Sequence, residues 1–89
     1  IRIDCEELKK FQLVEKTKGR LQGKHKINDI DGVRVEFGDG WGLVRASNTQ
    51  PVLVLRFEAP TQVRMDEMRK IVEGALIEAA NEIKHAPLF

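Results

Sequence analysis

Val33-Arg34-Val35-Glu36-Phe37-Gly38-Asp39-Gly40-Trp41-Gly42-Leu43-Val44-Arg45-Ala46 is the stretch from which the fold is read. Its first five residues alternate apolar and polar, which puts Val33, Val35 and Phe37 on one face of a strand. Gly38-Asp39-Gly40 supplies residues suited to a tight reversal. Trp41 to Ala46 predicts a second strand, with Trp41, Leu43 and Arg45 pointing the same way. Strands joined by so short a turn are antiparallel. Upstream, Ile27 and Ile30 suggest a short strand before Asp31-Gly32, a dipeptide that favours a tight hairpin turn. Downstream of a loop from Ser47 to Pro51, Val52 to Phe57 is apolar on both faces, which places it inside the sheet. Its one charge, Arg56, shares a side with Val52 and Val54.

Outside this β core the period changes. Ile1-Arg2-Ile3-Asp4 alternates and reads as the end of a strand. From Cys5 to about Gln22, Leu8, Phe11, Val14 and Leu21 recur at near-helical spacing. Asp4 is the expected N-cap, Glu6 and Glu7 suit the helix dipole, and Gly23 is the expected stop. After Glu58-Ala59-Pro60, Thr61 can cap a long helix. There Met68, Ile71, Val72, Ala75, Leu76, Ala79 and Ile83 form an apolar stripe. The order is β-α-β-β-β-β-α. It predicts an α+β, two-layer sandwich, with an antiparallel sheet of four or five strands and both helices on one face.

A chain of 89 residues holds one domain with one core. Beginning at Ile1 without an initiator methionine, it is expected to be a piece of a larger protein. The longest apolar run, Val52 to Leu55, is far too short for a membrane span, and no signal-peptide pattern is present. A net charge of +1 argues against a general nucleic-acid or membrane-surface binder. The lysines at 9, 10, 16, 18, 24 and 26 are interleaved with acidic residues and read as a solvated helix face. One cysteine, Cys5, excludes an internal disulfide and fits a reducing cytoplasm. Cys5, His25 and His85 make no metal motif. Cys5 is expected to be half-buried, and both histidines exposed.

No catalytic constellation stands out. Ser47 lacks both a histidine at motif spacing and the Gly-x-Ser-x-Gly elbow, and the glycines around residue 40 make no phosphate-cradling loop. The segment Arg45-Ala46-Ser47-Asn48-Thr49-Gln50-Pro51 is different in kind. Arg45 offers a planar fork of donors matched to phosphate oxygens, Ser47 and Thr49 add hydroxyls, and Asn48 adds an amide. A turn through 47–49 can aim successive backbone N–H groups at one anion, and Pro51 stiffens the exit. Ser, Asn, Thr and Pro are equally the ordinary turn residues. On residue types alone the plain turn outweighs the anion site.

This segment resembles the phosphate-binding loop in the C-terminal domain of the α-D-phosphohexomutases. The flanks carry the likeness further: Asp31-Gly32-Val33-Arg34-Val35, Gly40-Trp41-Gly42-Leu43-Val44, and Val52 to Ala59. Many relatives carry Ser-Gly-Thr at the loop centre. Ser47-Asn48-Thr49 resembles the bacterial phosphomannomutase/phosphoglucomutase branch. Gln50 sits where relatives vary and is left out of the site.

The resemblance implies one domain, residues 1–89, of a four-domain enzyme that interconverts hexose 1-phosphates and 6-phosphates of glucose or mannose. It implies a phosphoserine and Mg²⁺ in other domains, a bisphosphorylated hexose intermediate, and a cytoplasmic location. Arg45, Ser47, Asn48 and Thr49 would grip the phosphate that is not being transferred. No catalytic or metal-binding residue lies in this chain by that reading, and the isolated domain is expected to be inactive and monomeric. Its partners would be the hexose phosphate and the remaining domains. The alternative is a non-catalytic small-ligand or regulatory interaction module. A nucleic-acid-binding sheet ranks third, because Phe37, Trp41 and Phe57 are expected in the core. Arg56 is expected to form a structural ion pair.

Overall fold

The alternating stretch at 33–46 forms a hairpin at the middle of the sheet in a computed structural model, which describes all residues 1–89. The strands are β1 (Arg2–Asp4), β2 (Lys26–Asn28), β3 (Val33–Glu36), β4 (Trp41–Ala46) and β5 (Val52–Glu58). The helices are α1 (Lys10–Leu21) and α2 (Gln62–Glu82), with a 3-10 turn at Glu7–Lys9 before α1. The strands form one antiparallel sheet in the order β1-β5-β4-β3-β2. The expected two-layer α+β sandwich is therefore the fold, with five strands, and β5 lies inside the sheet as its apolar run requires.

One face of the sheet packs on the helices. Ile3, Val33, Val35, Val44, Ala46, Leu53 and Leu55 meet Leu13, Val14 and Leu21 of α1 and Val72, Ala75, Leu76 and Ala80 of α2 in one core. Thr61 caps α2 as expected, its hydroxyl accepting the Arg64 N–H at 3.1 Å. The helix closes with Lys84 in the left-handed region at φ 57°, where the His85 N–H reaches back to the Ala80 carbonyl at 2.8 Å.

The first helix departs from expectation at its start and on its face. Asp4 is no N-cap. It stays in β1 opposite Val52, and the ladder runs on through Cys5 N–H to the Pro51 carbonyl at 2.9 Å, so the chain is held extended and α1 starts only at Lys10. Its buried stripe is Lys10, Leu13, Val14, Thr17 and Leu21. Leu8 and Phe11 stand in solvent, 97% and 57% exposed. Two polar members of the stripe satisfy themselves in place: the Thr17 hydroxyl donates to the Leu13 carbonyl at 2.7 Å, and Lys10 finds the partners described below. The helix ends before Gly23 as expected, at the Gln22 cap, though Gly23 does not take the positive φ of a left-handed cap.

Other corrections are local. Ile30 lies outside β2 and is 90% exposed. The reversal spreads over residues 29–32, beginning with the Ile30 N–H donating to Asn28 Oδ1 at 3.1 Å. Trp41 is on the open face of the sheet and not in the core. The Arg34 guanidinium lies 4.5 Å from its ring centroid, and its indole N–H donates to Glu58 at 2.9 Å. The His85 side chain is not exposed: only 5% of it is accessible, and its Nε2 accepts the Glu6 N–H at 2.9 Å. His25 is half-buried, edge-on to Phe37 with ring centroids 5.1 Å apart. Cys5 is half-buried as expected, and burial pushes its thiol pKa up.

Candidate functional site

The loop from Ser47 to Pro51 joins β4 to β5 and emerges at the same end of the sheet as the 29–32 loop. Strand pairing persists to Ala46 opposite Leu53, and then the Ser47 N–H donates to the Val52 carbonyl at 3.0 Å. The Ser47 hydroxyl oxygen accepts two backbone N–H groups, from Thr49 at 3.3 Å and Gln50 at 3.2 Å. This corrects the expected nest. Of the three amides at 47–49, the Ser47 and Thr49 N–H groups are engaged inside the turn, and only the Asn48 N–H has no acceptor in the chain. Asn48 and Thr49 are exposed, and the half-buried Ser47 hydroxyl donates to no acceptor of the chain. An oxygen that accepts two N–H bonds becomes a stronger donor through its own proton.

Arg45 sits near the end of β4 opposite Val54, on the open face of the sheet. No carboxylate of the chain pairs with it. Its neighbour just ahead of β3 is Gly32, at φ 79°, and a Cβ there would lie 2.4 Å from the Val44 carbonyl oxygen and 3.1 Å from the Arg45 Cβ. Only glycine lets the 29–32 loop lie this close to the Arg45 backbone.

Arg45 and Asn48 line one open groove of about 210 Å³, together with Phe11, Glu15, Asp29 and Asp31. Ser47 and Thr49 do not line it. Three carboxylates disfavour an anion on the groove floor, although Lys18 offsets one of them and holds the Asp29 carboxyl below its ordinary pKa. Arg45 and Asn48 are thus the two expected site residues that border the groove.

Two residues beside the loop depart from their sequence reading: Lys10, counted in a solvated helix face, is buried, and Gln50, left out of the site, is wired into the turn. Lys10 is 2% exposed, and its Nζ donates to the Gln50 carbonyl at 3.2 Å and to Glu7 at 2.9 Å. Its spacing to Leu13, Val14 and Thr17 was the available signal. Gln50 is a strut of the turn: its carbonyl also accepts the Val52 N–H at 2.9 Å, and its side chain accepts from Arg2. Arg56, expected in a structural ion pair, has none. It stands exposed on the open face opposite Leu43.

Residues 1–75 match the model of the phosphoglucomutase/phosphomannomutase C-terminal domain. The chain belongs to that family. Within the phosphoglucomutase/phosphomannomutase C-terminal domains it is 44% identical over 84 residues to a phosphomannomutase/phosphoglucomutase of Pseudomonas syringae pv. tomato, covering 93% of this chain and 18% of that protein. A phosphoglucomutase of Neisseria gonorrhoeae is 52% identical over 60 residues, 65% of this chain and 13% of that protein. The crystal structure of a phosphoglucomutase/phosphomannomutase family protein from Burkholderia thailandensis superposes with a TM-score of 0.76 at 31% identity, over 100% of this chain and 19% of that one. The chain thus spans under a fifth of the length of these relatives.

Proposed function

We propose that this domain anchors the non-reacting phosphate of a hexose phosphate in a complete phosphomannomutase/phosphoglucomutase, through Arg45, Ser47, Asn48 and Thr49. One observation carries the reading. The turn is tied internally at Ser47 and Gln50, while the Arg45 guanidinium, the Asn48 N–H and the Ser47 hydroxyl proton have no acceptor in the chain. Donors that are held still and left unsatisfied suit a ligand rich in acceptors, and a phosphate ester offers them with charge. Binding energy at this remote group would orient the sugar for a reaction elsewhere and favour closure of a cleft.

By the same reading the phosphoserine and Mg²⁺ belong to the other domains, as does the transferring phosphate of the bisphosphorylated intermediate. No three His, Cys, Asp or Glu side chains here converge in a way that fits a metal ion. The domain alone would be monomeric and inactive, and the whole enzyme cytoplasmic, where its sugar phosphates are.

Titration of the chain with inorganic phosphate or glucose 1-phosphate, followed by amide NMR, tests the proposal. The Asn48 amide should move most, the Thr49 and Gln50 amides less, and the Ser47 amide least, because it is locked in the strand pair. Arg45→Ala should weaken binding about 30-fold, the effect of losing about 2 kcal/mol of charged hydrogen bonding. Saturable shifts elsewhere with this loop silent would overturn it.

A further inference from the structure

We infer that Lys10 is a positioning residue for the anion site: it clamps the phosphate loop from below and supplies a fixed positive charge beneath it. The inference rests on the phosphate-anchor reading above. Two observations and one principle lead to it. Lys10 is the one charged side chain among the buried residues, at 2% exposure. A buried ammonium is costly unless its charge and its donors are met. Its donors reach two acceptors, the Gln50 carbonyl at 3.2 Å and Glu7 Oε1 at 2.9 Å.

The Gln50 contact is the informative one, because the partner lies forty residues away and inside the loop. The loop is fastened at two points. At its start the Ser47 hydroxyl gathers the Thr49 and Gln50 N–H groups, and at its end the Gln50 carbonyl gathers the Val52 N–H and the Lys10 ammonium. The second fastening comes from another element, the first turn of α1, and joins the ties that Arg2 and the Cys5 N–H make from β1 to Gln50 and Pro51. Of these ties only the Lys10 one carries a buried charge, and it helps to set where the loop stands relative to the body of the domain.

The charge is only partly neutralised. Glu7 is 58% exposed on the solvent side of the pair, so its counter-charge is screened by water, whereas Lys10 faces the loop with little water between. A dianion bound to the turn feels that asymmetry as attraction. The groove carboxylates Glu15, Asp29 and Asp31 pull the other way, and Lys10 lies on the opposite side of the account from them. The lysine thus has two roles that a merely apolar residue of the same length would lose.

Lys10→Met keeps the length and removes both the donor and the charge. In the phosphate-free chain it should shift the Gln50, Pro51-flanking and Val52 signals. In titration with inorganic phosphate it should weaken binding about tenfold, while Lys10→Arg restores most of the loss. Phosphate affinity equal to the parent chain in a folded Lys10→Met variant overturns the inference. If that variant does not fold, Glu7→Gln decides. Loss of the counter-charge should tighten phosphate binding about twofold, and unchanged or weaker binding overturns the inference. Arg45→Ala in the same titration separates the two ideas. Undiminished binding there sinks the phosphate anchor, whereas loss there with Lys10→Met unaffected sinks only the role of Lys10.

Discussion

The two ends of the sheet are built from similar residues and treat their polar groups in opposite ways. At the end holding residues 37–41 and 58–64, the charges are met within the chain. Asp39 accepts from Arg64 at 2.9 Å, the Arg64 guanidinium lies 5.6 Å from the Phe37 ring centroid, Glu58 takes the Trp41 N–H, and Thr61 caps α2. At the end holding residues 45–51, the backbone is equally well tied, yet Arg45, Asn48 and the Ser47 proton are left open. A structural corner closes its hydrogen bonds on itself. On the proposed reading the other end is a site, which keeps the frame closed and the donors free, a local cost that a ligand can offset.

The sharpest way to separate the ends is to damage the closed one. Gly40 lies where a Cβ would stand 2.1 Å from the Glu58 carbonyl oxygen and 2.9 Å from the terminal methyl of Met68. The backbone contact cannot yield without parting β4 from β5. Gly40→Ala should cost about 3 kcal/mol, roughly a 15 °C fall in Tm for a domain of this size, read by thermal unfolding. Phosphate affinity of the folded fraction should not change. Lost affinity at a temperature where the variant remains folded would show that the two ends are not independent.

Damage to the open end should show the reverse pattern. Ser47→Ala removes the oxygen that gathers two N–H groups and the proton expected to reach the ligand. Phosphate binding should weaken about tenfold, close to 1.4 kcal/mol, with a stability loss no larger than about 1 kcal/mol. Ser47→Thr keeps the hydroxyl and should recover most of the binding. If Ser47→Ala instead melts far below the parent and binds phosphate normally once folded, Ser47 is a corner residue and the contrast fails.

What the sequence made legible follows the same division. The β3–β4 hairpin, the burial of β5 and the Thr61 cap rest on local chemistry, period-two alternation and a side-chain oxygen, and they stand as read. The α1 face was misread because its stripe contains Lys10 and Thr17. An apolar pattern overlooks polar residues whose hydrogen bonds are met only after folding, and Leu8 and Phe11 filled the gap. The loop was legible as a set of residue types, and its resemblance to the mutases named the family correctly. Its internal wiring was not legible: whether the Thr49 N–H faces an anion or the Ser47 oxygen depends on how far the β4–β5 ladder runs and on a clamp from α1, both set by tertiary contacts. Trp41 is expected in the core with Phe37 and Phe57, but its strand register puts it opposite Glu58 on the open face, where Arg34 covers it.

The smallest expected effect lies in a feature the two ends share. Each carries one exposed aspartate tied to a base on a helix: Asp39 to Arg64 of α2, and Asp29 to Lys18 of α1. In both, a hydrogen bond from the base holds the carboxyl below its ordinary pKa. A carboxyl with a lowered folded-state pKa contributes stability that is whole above the unfolded value, about 3.9, and is lost as pH falls through the lower folded one. Both pairs are in solvent, so each contribution is small and screened by salt. Asp39→Asn and Asp29→Asn should therefore each lower Tm slightly at neutral pH and flatten its fall below about pH 4, with the differences shrinking in high salt. Phosphate binding near neutral pH gives the asymmetry back. Asp39→Asn should leave it unchanged, whereas Asp29→Asn removes a carboxylate from the groove beside Arg45 and should tighten it slightly. Equal behaviour of the two variants toward phosphate would mean that the groove's charge does not reach the turn.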